Sequence, residues 1–205
     1  MAYSRRNPPV GPAAIDTVAA LGLGGVDFDA YLPENGAVYP NTTFGTRLRN
    51  SAALIKAATG VEVITLDVDG WDLHANMGPV SGAMARLLDE LSSAFEAFYL
   101  DMLGYLNDYV LVCVSEFGRH AAENGSAGTD HGHGNAMFLM GGGVNGGQVY
   151  GTWPGLRFVD LDQGDLAITT DYRDILGEML LDRMGFTNLA AVFPQHTFTD
   201  YGVTS

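Results

Sequence analysis

Apolar positions along the chain form one long helical stripe and several short continuous runs. Met84, Leu87, Leu88, Leu91, Phe95, Phe98, Met102 and Leu106 recur at steps of three and four. That period sets them on one face of a helix, predicted over 79–105, with the stripe turned to a core. Three other runs are shorter and denser: VEVITLDV at 61–68, YVLVCVSE at 109–116, and AMFLMGG starting at Ala136. Their β-branched, nearly unbroken apolar character predicts strands. Further helices are predicted over 12–23, over 44–59 and over 171–184. Thr42 or Thr43 caps the second of these and Gly60 stops it, while Asp171 caps the last.

Strand, long helix, strand, loop, strand and helix in that order imply an α/β layer fold around a mostly parallel sheet. Continuous apolar strands suit a sheet covered on both faces. The organisation expected is an irregular arm and linker over 1–38, an α/β domain over 39–190 and a tail over 191–205. The glycine run at 141–143 lacks a strand–GxGxxG–helix setting, so it is turn chemistry rather than a nucleotide loop.

In such sheets the chemistry gathers at the carboxyl ends of the strands. Asp72 and His74 lie just past the first predicted strand, and Glu116 ends the second with Arg119 three residues on. Asp130, His131 and His133 stand in the segment GTDHGHGN before the third. Carboxylates and imidazoles crowded at one rim repel unless a cation is held among them. Mixed oxygen and nitrogen donors suit zinc, manganese or iron better than magnesium or calcium. Plainer readings stand beside this one. Asp72 can cap a turn, Glu116 can pair with Arg119 as a structural ion pair, and Asp67 or Asp69 can be buried without chemistry. His120 is expected to be a solvated loop residue. His196, in FPQHTF, has no acidic or histidine neighbour in sequence and is not expected to be a ligand.

Charge narrows the partners. Asp plus Glu number 24 against 10 Lys plus Arg, for a net charge of -14. A chain so acidic is a poor match for nucleic acid or anionic membranes and a good one for cations. No apolar run reaches the length of a membrane span. Arg5 and Arg6 have no convincing apolar stretch behind them, so the chain as given is expected to be cytoplasmic. The single cysteine, Cys113, excludes an internal disulfide and is expected to be a core residue. GxSxG and GxxxxGK[ST] are both absent, which argues against a serine hydrolase elbow and a phosphate loop.

The segments GWDLHANM, VSEFGRHAAENGSAGTDHGHGNAMFLMGGGV and GGQVYGTWPGL resemble the C-terminal half of a bacterial family, domain of unknown function 1501. The resemblance runs from about Tyr39 to Phe186. That family is similar to the sulfatase and alkaline phosphatase superfamily. The resemblance implies a three-layer α/β/α fold, alkaline phosphatase-like, with its N-terminal part missing and a metal centre at the strand ends. It implies Asp72 and His74 as one ligand pair, Glu116 as a second acidic ligand, and His131 or His133 as a later one. Arg119 would hold an anionic substrate, and the reaction would be hydrolysis of a small sulfate or phosphate ester. Three departures bear on this. Phe117 stands where the superfamily often has a second histidine, Asp72 and His74 are closer in sequence than its usual pair, and its nucleophile belongs to an N-terminal half, carried behind an export signal in relatives expected to be periplasmic. The expectations are therefore a metal-dependent hydrolase using zinc or manganese, a non-catalytic metal-binding or assembly module, or a purely structural rim. Missing strands would leave an open sheet edge, through which self-association is expected.

Overall fold

The structure, a computed structural model, describes residues 25–205. The helix predicted over 12–23 lies outside them. The chain divides into two compact units, one formed by residues up to Asp69 with Asp89–Tyr105, the other by Gly70–Leu88 with Leu106–Ser205.

The first unit is helical. Helix α1, Thr43–Lys56, starts where the Thr42 hydroxyl accepts the Gly45 N–H at 3.0 Å. Phe44, Leu48 and Ala52, four apart, are buried on one face. The helix ends before the predicted Gly60, because Ala58 already has a left-handed backbone (φ 50°). Helix α2, Ala83–Asp101, carries the predicted stripe, and Leu91, Phe98 and Met102 are buried while Leu88 is exposed. The Phe44 and Phe95 rings meet edge to face at 6.4 Å. The Asp101 carboxylate, fully buried, collects four donors. Lys56 Nζ (2.7 Å) and the Glu34 N–H (2.8 Å) reach Oδ1, and the Tyr31 and Tyr39 hydroxyls (2.8 Å each) reach Oδ2.

The second unit holds the strands, and they differ from the expected sheet. Strand β1, Val110–Cys113, pairs antiparallel with β4, Phe138–Gly141, in the register Val110↔Gly141 to Cys113↔Phe138. Between them β2, Gly118–Arg119, pairs antiparallel with β3, His131–Gly132. The described residues thus form two short two-stranded antiparallel sheets, and the three-layer α/β/α fold with a parallel central sheet is overturned. A parallel pair needs a crossover that carries the chain back to the starting edge, normally a helix. Here the connection between β1 and β4 is itself a hairpin, so the chain re-enters running the other way.

The strand predicted over 61–68 is also corrected. No strand is assigned there, and Val61 and Val63 remain exposed. A β-branched run favours an extended backbone, but a strand exists only when a neighbour completes its ladder. None of the four strands pairs with it.

The core of this unit is Ile175, Met179 and Val203, packed with Val110, Val112, Leu139 and Tyr201. Helix α3, Tyr172–Glu178, is capped by the Asp171 carboxylate on the Arg173 N–H, as predicted, and widens into a π-helical turn over Met179–Arg183. Its carboxylates hold the end of the chain. Glu178, buried, accepts the N–H groups of Tyr201 (2.5 Å), Val203 (2.6 Å) and Thr204 (3.3 Å). Asp174 accepts His196 Nε2 at 2.7 Å and the Thr199 N–H at 2.9 Å. His196 therefore does have an acidic partner, one that its sequence neighbours do not reveal. Among the described residues, no helix is long and apolar enough to cross a membrane.

Candidate metal centre

Two chain segments build the site, both within the second unit. One is the irregular run from Trp71 to Met77. The other is the excursion from Phe117 to Gly134 that includes β2 and β3. Backbone bonds join them: Thr129 N–H to Leu73 O (3.2 Å), Asn76 N–H to Ser126 O (3.0 Å) and Met77 N–H to Ala127 O (2.8 Å). Two glycines of the GTDHGHGN stretch make this approach feasible. A Cβ on Gly128 would strike the His74 backbone at 2.3 Å, and one on Gly132 would strike Arg119 at 2.6 Å. The glycines thus serve backbone contact between segments.

Three donor atoms converge where the segments meet. Asp72 Oδ1 lies 2.9 Å from His131 Nε2 and 3.1 Å from His74 Nε2, and the two Nε2 atoms are 3.0 Å apart. All three side chains are about half exposed, so the triangle opens to solvent. The far side of His74 is fixed. Its Nδ1 is 3.1 Å from Asp130 Oδ1, so each ring nitrogen of His74 faces a carboxylate oxygen at the same distance. At 3.0 Å the Nε2 atoms of His74 and His131 cannot both carry protons, so one of the two presents a lone pair. The Phe117 ring stacks on the His131 imidazole, with centroids 3.9 Å apart.

Arg119 reaches the triangle at Asp72. Its guanidinium donates to Asp72 Oδ1 (2.5 Å), to Trp71 O (3.0 Å) and to Thr129 O (2.7 Å), clamping both segments. Hydrogen bonding from His131, then from Arg119, holds the Asp72 carboxyl below the usual carboxylate range. The Asn124 amide, then His74, does the same for Asp130.

The structure brings together four of the six metal-site candidates, three of them as donors and Asp130 as the support of His74. It places the others elsewhere. Glu116 is exposed, and Arg119 pairs with Asp72 rather than with it. His133 turns to Asp165 (3.4 Å) and Asp162 (3.7 Å), and His120 also meets Asp165 at 3.2 Å instead of being merely solvated. Asn124 took no part in the sequence reading, and Phe117 entered it only as a residue that cannot ligate, not as a ring stacked on His131. The Asn-Gly step at 124–125 marked a turn, but nothing local showed that its amide touches the site.

A donor set of one carboxylate and two imidazoles fits a divalent metal. Asp72, His74 and His131 would hold such an ion between them. Among the described residues, Asp72, His74 and His131 are the group of potential ligands whose donor atoms gather this closely. These features define a candidate metal-binding protein whose donors come from an irregular run and a two-residue antiparallel strand rather than from the ends of a parallel sheet. The chain belongs to the family described as protein of unknown function (DUF1501), whose model matches residues 37–191. No curated protein and no solved structure matches it.

Proposed function

We propose that the protein holds one divalent metal ion, zinc or manganese, on Asp72, His74 and His131 and hydrolyses small anionic phosphate or sulfate esters there. The observation that carries the metal is the triangle itself. Three donor atoms stand 2.9–3.1 Å apart, and the two imidazole nitrogens among them are too close for both to carry a proton, which leaves a lone pair beside the carboxylate oxygen. Two lone pairs facing each other are repulsive, and a cation between them reverses the sign. A structural site would be closed by a fourth protein ligand, whereas an open face is the mark of a site that exchanges ligands.

A metal in that position would polarise an ester oxygen and bring the pKa of a bound water to about 7. Arg119 has five N–H donors and commits three of them to the clamp, so it can also turn charge toward an anionic substrate. Support for an ester as substrate comes from the motif likeness to the sulfatase and alkaline phosphatase superfamily and from this charge pattern; the antiparallel architecture adds none. A second reading, a metal-binding module without catalysis, is favoured by the environment of Ser115. Its hydroxyl, adjacent in sequence to the candidate Glu116, donates to Phe117 O at 2.7 Å and is not poised as a nucleophile.

Elemental mass spectrometry on the purified protein tests the proposal. Near-stoichiometric zinc or manganese is expected in the wild type and in His133→Ala, and at least about a 10³-fold weaker affinity, roughly 4 kcal/mol, in His74→Ala/His131→Ala. Absence of metal from the wild type after reconstitution would sink the metal. Bound metal without turnover of aryl phosphates or aryl sulfates would leave the binding module.

A further inference from the structure

The Asn124 side chain uses its whole hydrogen-bonding capacity. Its Oδ1 accepts the N–H groups of Ser126 (2.9 Å) and Gly128 (3.2 Å), and its Nδ2 donates to His74 O and to Asp130 Oδ1, each at 3.0 Å. Its backbone closes the same loop, through its N–H to Gly128 O (2.8 Å) and the Ala127 N–H to its carbonyl (3.2 Å). The two halves of the amide therefore do different work. The oxygen folds the 124–128 turn. The nitrogen ties that turn to the His74 backbone and to the oxygen of Asp130 that meets the His74 ring.

We infer that Asn124 is a positioning residue of the metal centre, acting through Asp130 to keep His74 in the tautomer whose Nε2 is free to ligate. The inference rests on the metal reading above. The steps are short. Asp130 is exposed, so its carboxylate has open rotamers unless something holds it. Asn124 Nδ2 donates to the same Oδ1 that lies 3.1 Å from His74 Nδ1. With Oδ1 held there, a proton on Nδ1 of neutral His74 has a fixed acceptor, which offsets the one that Asp72 Oδ1 offers at Nε2. Without it, the ring proton is free to move to Nε2 and donate to Asp72 Oδ1, 3.1 Å away, and the nitrogen is lost as a ligand. Outer partners of a metal ligand act in this way on affinity.

Asn124→Asp separates the two halves of the amide. It keeps an acceptor for Ser126 and Gly128, and hence the turn, but replaces the donor facing Asp130 with an oxygen. Asn124→Ala removes both. The first readout needs no metal: long-range proton–nitrogen NMR of the histidine rings in metal-stripped protein at pH 8. His74 is expected as the Nδ1–H tautomer in the wild type and substantially as Nε2–H in Asn124→Asp. The second readout is zinc affinity by competition with a chelating dye, expected to fall about 10- to 100-fold in the variant. An unchanged tautomer in a folded Asn124→Asp overturns the inference, as does a changed tautomer with unchanged zinc affinity. If the wild type binds no zinc, the metal reading falls and the link to a metal falls with it, while the tautomer still decides whether Asn124 governs His74.

Discussion

Asp101 in the first unit and Asp72 in the second are both carboxylates at the centre of a polar cluster, and they are satisfied in different ways. Asp101 is fully buried, with two donors on each oxygen and the positive charge of Lys56 against it. Nothing is lacking there. Burial acts to raise its pKa, but hydrogen bonds from Lys56, the Glu34 N–H and Tyr31 outweigh it, and the carboxyl ends below its usual range. Asp72 is mostly exposed, and its Oδ1 faces a guanidinium and two imidazole nitrogens, at least one of which has no proton to give. A cluster whose donors and acceptors balance is architecture. A cluster that opens to solvent with an unprotonated nitrogen beside a carboxylate is where the proposed ion would be held.

The largest test of that contrast is to neutralise each carboxylate in turn. Asp101→Asn leaves Lys56 without its buried partner and should destabilise the first unit by about 3–5 kcal/mol, measured by urea denaturation. Asp72→Asn should leave the denaturation midpoint of the metal-free protein where it was while abolishing metal binding. Equal losses of stability from the two changes would erase the distinction.

A smaller effect is expected with pH, on the metal-free protein. Asp101 is shifted down, so its share of stability is fully present above the unfolded carboxylate pKa of about 3.9 and is lost as pH falls through the folded value. Tyr31 is raised to about 12, chiefly by burial and then by its bond to Asp101, and Lys56 is raised because its bonds to Asp101, Tyr31 and Glu34 outweigh burial. Groups shifted up contribute fully below their unfolded pKa of about 10, and that share is lost as pH rises through the folded value. Stability of the first unit should thus hold between about pH 4 and pH 10 and fall on both sides, as followed by thermal melts. An unchanged melting point at pH 11 would contradict the Lys56–Tyr31–Asp101 network.

The smallest effect is expected at Arg119. Arg119→Lys keeps the charge but not the fork that reaches Asp72, Trp71 and Thr129 together. Metal affinity should fall about tenfold with the fold intact, by the same dye competition.

What was legible in the sequence was local. Thr42 and Asp171 cap their helices as predicted because a cap depends on residues two or three positions away. The stripe on α2 was legible for the same reason. Pairing was not: β1 finds β4 across a hairpin that no periodicity encodes, and the run at 61–68, the most strand-like in composition, finds no partner. At the site, residue types pointed to Asp72, His74 and His131, but only the fold separates them from Glu116, which is exposed elsewhere, and from His133, which turns to Asp165. Asn124 was missed because an amide between two loops has no signature of its own.

The grip of Glu178 on the end of the chain has a consequence for how that end can vary. The carboxylate meets the N–H groups of Tyr201, Val203 and Thr204, which every residue but one supplies alike. The grip is therefore indifferent to side-chain identity, and over evolutionary drift it would exclude only proline at these three positions. Side chains add demands of their own, at Val203, which enters the core, at Tyr201, which packs against it, and at Thr204, whose hydroxyl donates to Asp182. A tail held in this way can change its surface freely and keep its place.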